Sequence, residues 1–552
     1  MVSKSIYQFL FYTIIVFILA GCPPKGVVQS LDLPTIFQSK QPGQELVVSK
    51  QPEQAQVVSK QAGPDEVLRL RNTLSVGKKL TESAEFQKAL STIKLMTKQT
   101  ARLYVARVDE LSLGSNYKGM DAFDVAFENG IVAGLISQNV KVVEKLDAAK
   151  IRDKNEYMTN SPMQAFYMHP INLKSLEIIK RDLVTNYLLS YSVIQLSKTS
   201  DDILVYFRII DLTTMQLVGS FALRNGNKDL DPMAKEYFEE YTKCFSSLKD
   251  AEIPNTFSSI ANRLAVIDVD IINVKGDYQT APSLKLMGIE DGVISGLMAN
   301  LNYPTKLWVT EKTSGFKFKF APVYNNIIFN TNPFIYEEWP EISENTSCTE
   351  LLLYRYVKDE GIFLRVIDVR KQGEILYSNF VSFTDAKYKG CENIFKTVST
   401  NASLSSELLV QNLQNKRVLI VDGDYHSIDP NKYSQERKNY KEHQFAIEEG
   451  ISKGLLDLSG VTKLQLKDKL KTLYLKRDWM YSNKIFNANP LYLDTWKQLQ
   501  TFGVDVLLVY NNLIRYHDLS DKTSTNFRNI AVSYKVIDVS TGDIIYVNEI
   551  TQ

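Results

Sequence analysis

Cysteine is scarce in this chain, with four in 552 residues. That is too few for a disulfide scaffold. Histidine is equally sparse: His169, His426, His443 and His517 are all there are. Only one of them has a metal-like spacing, Asp422-Gly423-Asp424-Tyr425-His426. On a strand the side chains of Asp422, Asp424 and His426 share a face, and two carboxylates with an imidazole can bind a transition metal. The alternative is a strand end whose acids cap a turn. His426 has no counterpart elsewhere in the chain, which favours that alternative. No Ser/His/Asp order, Gly-x-Ser-x-Gly or His-Glu-x-x-His is present. Excess charge is missing too. The 64 Lys and Arg against 63 Asp and Glu leave a net charge of +1, which gives no electrostatic reason to expect a nucleic acid. The chain reads as non-enzymatic and without a cofactor.

Long apolar runs are also absent, apart from Ile6 to Ala20, interrupted at Gln8 and Thr13. It follows Lys4 and falls short of the ~20 residues a spanning helix needs, so it reads as a signal peptide, residues 1–21. It ends in Leu19-Ala20-Gly21-Cys22, which matches the lipobox of bacterial lipoproteins. That resemblance implies cleavage before Cys22, a diacylglyceryl thioether on its sulfur and acylation of its new amino group. Several acyl chains on one residue satisfy the requirement for stable anchoring. Pro23 in place of Asp directs the reading to the outer membrane, facing the periplasm.

Residues 22–65 then read as a disordered tether. Val47-Val48-Ser49-Lys50-Gln51-Pro52 recurs as Val57-Val58-Ser59-Lys60-Gln61-Ala62, with few apolar side chains to bury. A linker of this length reaches about 35 Å by the square-root rule.

Beyond the tether one unit is written three times. Each copy opens on a strand with Arg first and Asp near its end: Arg102 to Asp109, Arg263 to Asp270, and Arg417 to Asp424. A helix with a shared signature follows. It reads Glu128-Asn129-Gly130-Ile131-Val132-Ala133-Gly134-Leu135 in the first copy. The second has Glu290-Asp291-Gly292-Val293-Ile294-Ser295-Gly296-Leu297, and the third Glu448-Glu449-Gly450-Ile451-Ser452-Lys453-Gly454-Leu455. Two glycines four apart lie on one helix face and each costs about 1 kcal/mol relative to Ala. Paying that three times on the same face predicts a close approach of the helix backbone, here expected to be against a sheet. The glycines sit inside an amphipathic run with no Gly-Lys-Ser/Thr after them, so they fit a phosphate loop poorly.

An Asn/Pro turn comes next: Asn160-Ser161-Pro162, Asn330-Thr331-Asn332-Pro333, and Asn487-Ala488-Asn489-Pro490. Trp339 and Trp496 follow the last two. Each copy closes on a hairpin, as in Tyr534-Lys535-Val536-Ile537-Asp538-Val539-Ser540-Thr541-Gly542-Asp543-Ile544-Ile545. Gly542 suits the positive φ such a turn often needs, and Asp538 can bond turn amides. Asp211 and Asp368 hold the corresponding places. The pattern predicts an α/β (α+β) fold of three tandem layered modules, each a mixed sheet packed by helices, at 66–250, 251–414 and 415–552. The stretches Asp231 to Leu248 and Cys391 to Gln414 read as linking helices. With Cys22 lipidated, Cys244, Cys348 and Cys391 remain, an odd count that suits one pair and one buried thiol or no pair at all; if a pair forms, Cys348 with Cys391, both in the second module, is the one expected.

The order of elements resembles the curli-assembly lipoprotein family (CsgG-like) and its flagellar relatives of the FlgO type. The closest motifs are Gly503-Val504-Asp505-Val506-Leu507-Leu508-Val509 and Val536 to Ile545, and the likeness is greatest in the third module. The resemblance implies a periplasmic, membrane-tethered, non-catalytic scaffold or assembly factor. Its partners would be periplasmic or outer-membrane proteins, with a homo-oligomer possible. A secretion-pore subunit is the alternative. However, a membrane strand needs about 9–11 alternating residues, and Phe316-Lys317-Phe318-Lys319-Phe320 alternates for only five. A metal-dependent enzyme in the third module is the second alternative.

Overall fold

In a computed structural model the described residues are 63–96, 102–108, 120–143, 179–181, 185–197, 202–214, 216–226, 230–253, 263–268, 284–300, 308–309, 348–371, 373–403, 407–422, 437–458, 465–467, 500, 503–512 and 531–551. The signal peptide, Cys22, nearly all of the tether, the Asn/Pro turns and the alternating Phe316 to Phe320 lie outside them, as do Asp424 and His426.

Helices α1 (Pro64–Leu80) and α2 (Ala84–Met96) lead into the first module. Its own elements are β1 (Arg102–Arg107), α3 (Ala122–Ser137), β2 (Lys141–Val143), β3 (Tyr187–Leu196), β4 (Ile203–Asp211) and β5 (Gln216–Asn225). Asp121 starts α3 with a capping box: its side chain accepts from the amides of Phe123 and Asp124, satisfying donors that a helix start leaves open. The second module repeats the series with α4 (Pro232–Lys249), β6 (Arg263–Asp268), α5 (Leu284–Asn300), β7 (Trp308–Val309), β8 (Glu350–Val357), β9 (Gly361–Asp368) and β10 (Glu374–Ser382). The third has α6 (Gly390–Ser403), α7 (Glu407–Leu413), β11 (Arg417–Asp422), α8 (Arg437–Leu456), β12 (Gln465–Lys467), β13 (Val506–Asn512), β14 (Ala531–Asp538) and β15 (Ile544–Thr551).

Strand order is the same three times: β2-β1-β3-β4-β5, β7-β6-β8-β9-β10 and β12-β11-β13-β14-β15. In each, the first three strands run parallel and the last three antiparallel. The fold is thus three tandem α/β modules, each a mixed sheet packed by helices. The second and third sheets are also joined at their edges. Glu374 and Ile375 of β10 pair antiparallel with Lys467 and Leu466 of β12, making one ten-stranded ladder.

The hairpin turns are built alike. Asp211 accepts from the amides of Thr213 and Thr214, Asp368 from that of Arg370 and Asp538 from that of Ser540. Gly542 has φ +80°, which a glycine adopts without the Cβ penalty.

The core alternates helix pair and sheet. Leu103, Val105, Leu189 and Phe207 on one face of the first sheet pack with Phe86 of α2 and Phe127 and Ile131 of α3. Leu204 and Tyr206 on the opposite face meet Ala234, Tyr237 and Tyr241 of α4. The other side of the α4/α5 pair packs on the second sheet, where Ile289, Val293 and Leu297 join Leu352, Tyr354, Leu364 and Val366. The third helix pair, α6 and α8, is enclosed in the same way. Phe395, Val398 and Ile451 lie in one core with Leu351, Leu353 and Phe363 of the second sheet and Val418, Leu508 and Tyr534 of the third. Strands have a side-chain period of two, so alternate residues of one sheet serve two helix layers. Both faces are therefore apolar, and the strands read as near-continuous hydrophobic runs.

The signature glycines face the partner helix, not a sheet. A Cβ on Gly292 would lie 2.5 Å from the carbonyl oxygen of Tyr241 and 2.9 Å from Cys244 Cβ, both on α4. On Gly450 it would meet Val398 Cβ at 2.9 Å, and on Gly454 the Ser399 oxygen at 2.6 Å, both on α6. On Gly130 and Gly134 it would come within 3.0 Å of Lys78 backbone atoms on α1. Gly296 completes the set against Phe245 and Leu248. The sheet expectation fails because α1, and the two stretches read as linkers, α4 and α6, supply the first helix of each pair. No disulfide joins Cys348 and Cys391; both, like Cys244, are thiols buried in the core.

Gly292→Ala should lower stability by about 1–3 kcal/mol, the usual cost of overpacking. Helix propensity alone would raise it by about 1 kcal/mol. The sign of the change in a urea denaturation curve therefore tests the helix-to-helix seam.

Candidate functional site: the polar joints between modules

Where one module's sheet meets the next module's helix, the buried surface carries charge. In the second joint Arg365 projects from β9. Its Nη2 lies 3.1 Å from Glu448 Oε1 and also contacts Glu449, both on α8. All three residues are buried. Ser378, opposite Arg365 in the β9–β10 ladder, donates to the Glu449 carboxylate and its main-chain oxygen. From the third sheet, Tyr510 donates to Glu448 Oε2 at 3.0 Å. One guanidinium thus serves two carboxylates. Burial pushes the Glu449 carboxyl above its usual range, against the pull of Arg365 and Ser378. The Arg355 guanidinium adds a cation–π contact, 4.1 Å from the Phe445 ring centre.

The first joint uses the same places. Arg208 on β4 aligns with Arg365, and Ser220, opposite it on β5, with Ser378. Ser220 is 2.9 Å from the Ser295 hydroxyl of α5 and 2.5 Å from Tyr206. Tyr237 donates to Asp291 at 2.7 Å. Burial and then Asp291 drive the Tyr206 phenol well above its ordinary pKa, while Arg208 opposes them. Both charges therefore act on the same ring.

These joint residues could be seen in the sequence as a basic residue inside an apolar strand and an acidic pair before the first glycine. In the sequence each looks like an ordinary solvated charge until the next module is laid over it.

Of the three candidate metal residues only one falls within the described structure. Asp422 ends β11 beside Tyr510, while Asp424 and His426 lie outside the described residues. Among the described residues no cluster of His, Cys, Asp and Glu is placed to hold a metal. Burial lowers the His443 imidazole to about 4, so it is neutral at pH 7. No described helix is long and apolar enough to cross a membrane.

A second acidic cluster lies at the base of the second sheet. Glu350 and Asp368 are opposed in the β8–β9 ladder. Burial, with Asp368 adding to it, raises the Glu350 carboxyl from 4.5 to about 7.

Comparison with protein-family models, curated proteins and solved structures finds no match. The likeness to curli-assembly lipoproteins therefore rests on the motifs quoted above.

Two measurements test this electrostatic picture. Arg365→Ala leaves buried acids without their cation and should cost about 3–5 kcal/mol. Glu449 holds its proton longer folded than unfolded, so its contribution is lost as pH rises through the folded pKa. Removing Arg365 raises that pKa further. The drop in denaturation midpoint between pH 5 and pH 8 should therefore be larger in the variant than in the parent. By the same linkage, the raised Glu350 carboxyl erodes stability as pH rises from about 4.5 to 7. Glu350→Gln should remove that part of the pH dependence and be the more stable chain at pH 8.

Proposed function

We propose that this chain is an outer-membrane lipoprotein facing the periplasm, a non-catalytic scaffold for an envelope structure, anchored through a lipidated Cys22. One observation carries the scaffold reading: the charged and hydroxyl residues that recur in the repeat hold one module to the next. Arg365, Glu448, Glu449 and Ser378 contact one another across a joint, as Ser220 and Ser295 do across the other. A body assembled by such joints holds its modules in fixed relation, and domains pinned by buried interfaces do not swing independently. The anchoring half of the reading rests on Leu19-Ala20-Gly21-Cys22 and the low-hydrophobicity stretch after it. Its partners are periplasmic or outer-membrane proteins.

Metabolic labelling with an alkyne fatty acid should mark the full-length chain and leave Cys22→Ser unmarked and released from the membrane fraction. Labelling that is absent from the parent contradicts the anchor. In-cell crosslinking should then capture envelope proteins, and failure to capture any contradicts the scaffold.

A further inference from the structure

The first joint holds a cavity of about 200 Å³ beside β5, the edge strand of the first sheet. Its walls come from α2, α4 and α5 as well as β5, so two modules share it. On α2 the lining residues Glu85, Lys88, Ala89 and Thr92 fall at the spacing of one helix face.

Three small residues border this space where the second joint has long side chains. Gly219 lies opposite Ile209, the place that Tyr377 takes opposite Val366. Counted from the paired glycines, Ser295 and Ala299 on α5 take the places of Lys453 and Asp457 on α8. Lys453 and Asp457 form an ion pair one turn apart, and Tyr377 is 4% exposed. Gly219 also lets α2 close down, since a Cβ there would lie 2.8 Å from Ala89 Cβ, and the cavity lies beside that contact.

The deepest part of the cavity is polar. Ser220 and Ser295 are 8% and 1% exposed and their hydroxyls lie 2.9 Å apart. Ser220 also bonds Tyr206, so a ligand that covers these hydroxyls leaves each with a partner. Above them Phe221, Phe245 and Met298 make an apolar wall. The exposed residues at the mouth are Lys88 and Lys249 with Glu85, two positive charges against one negative.

Size, wall and charge together define the ligand. An apolar cavity of about 150 Å³ takes up benzene, so this one suits a single ring with a short side chain. The phenylalanine rings favour edge or offset contact with an aromatic ring, and the Met298 sulfur adds to it. The two lysines favour a carboxylate over a neutral or cationic head.

We propose that this cavity binds a small aryl carboxylate, with its ring against Phe221, Phe245 and Met298 and its carboxylate at Lys88 and Lys249. The ligand would touch both modules beside the Ser220–Ser295 contact and so reinforce the first joint. Binding here needs neither the lipid anchor nor an envelope partner.

Titration of 3-phenylpropionate into the purified full-length chain by calorimetry tests this. One saturable site is expected, with a Kd on the order of 1 mM for a ligand of this size. The neutral 3-phenylpropanol should bind at least threefold more weakly. Ala299→Leu should weaken the carboxylate at least tenfold by filling the space. The aligned Asp457 shows that the helix accepts a longer side chain there. Lys88→Glu combined with Lys249→Glu, at exposed positions, should also weaken the carboxylate at least tenfold and leave 3-phenylpropanol within twofold. A ligand that binds only the folded chain raises the urea midpoint, and this rise should occur in the parent and vanish in Ala299→Leu. Absence of saturable binding by the parent overturns the proposal. So does carboxylate binding that survives both the filled cavity and the lysine exchange, or equal binding of acid and alcohol.

Discussion

The structure depends on how closely two helices can approach. The α4/α5 and α6/α8 pairs must each fit as one layer between two sheets, and a pair held apart by ordinary side chains could not. Glycines four apart on α3, α5 and α8 remove that separation and bring backbone against backbone. The helix-propensity penalty of about 1 kcal/mol per glycine is offset by packing on the seam and on the sheet faces. A Cβ there would have to displace main-chain atoms, which cannot swing aside as a flexible side chain can.

From that constraint the layering follows. A thin helix pair buries apolar residues on two opposite sides, so the sheets above and below must each offer an apolar face. The strands become hydrophobic on both faces, and turns and polar joints carry the remaining specificity. Burying Arg365 with two glutamates adds little net stability, since desolvation opposes the attraction. Its consequence is register. An α8 shifted by one turn would strand three charges, so the ion cluster penalises wrong stacking more than it rewards the right one.

Much of this was legible in the chain itself. The threefold repeat, the hairpin turns at Asp211, Asp368 and Asp538, and the paired glycines all show as spacing. The partner of the glycines did not show, because α1, α4 and α6 share no motif. Lys78, Tyr241 and Val398 occupy the contact with different chemistry, since a backbone-to-backbone seam asks little of the other side. The union of the second and third sheets through Glu374–Ile375 and Leu466–Lys467 was hidden for a similar reason. Main-chain ladders leave almost no side-chain signature on strands this short. The role of Arg208 and Arg365 needed three dimensions, because each faces a helix more than 75 residues further along the chain.

The central claim is that α5 and α8 are clamped between two sheets while α3, with the same signature, packs against one sheet among the described residues. Amide hydrogen exchange on the chain tests this directly. The account predicts that amides of Gly292 to Leu297 and Gly450 to Leu455 exchange far more slowly than those of Gly130 to Leu135. Equal protection of all three helices, or greatest protection of the first, would contradict it.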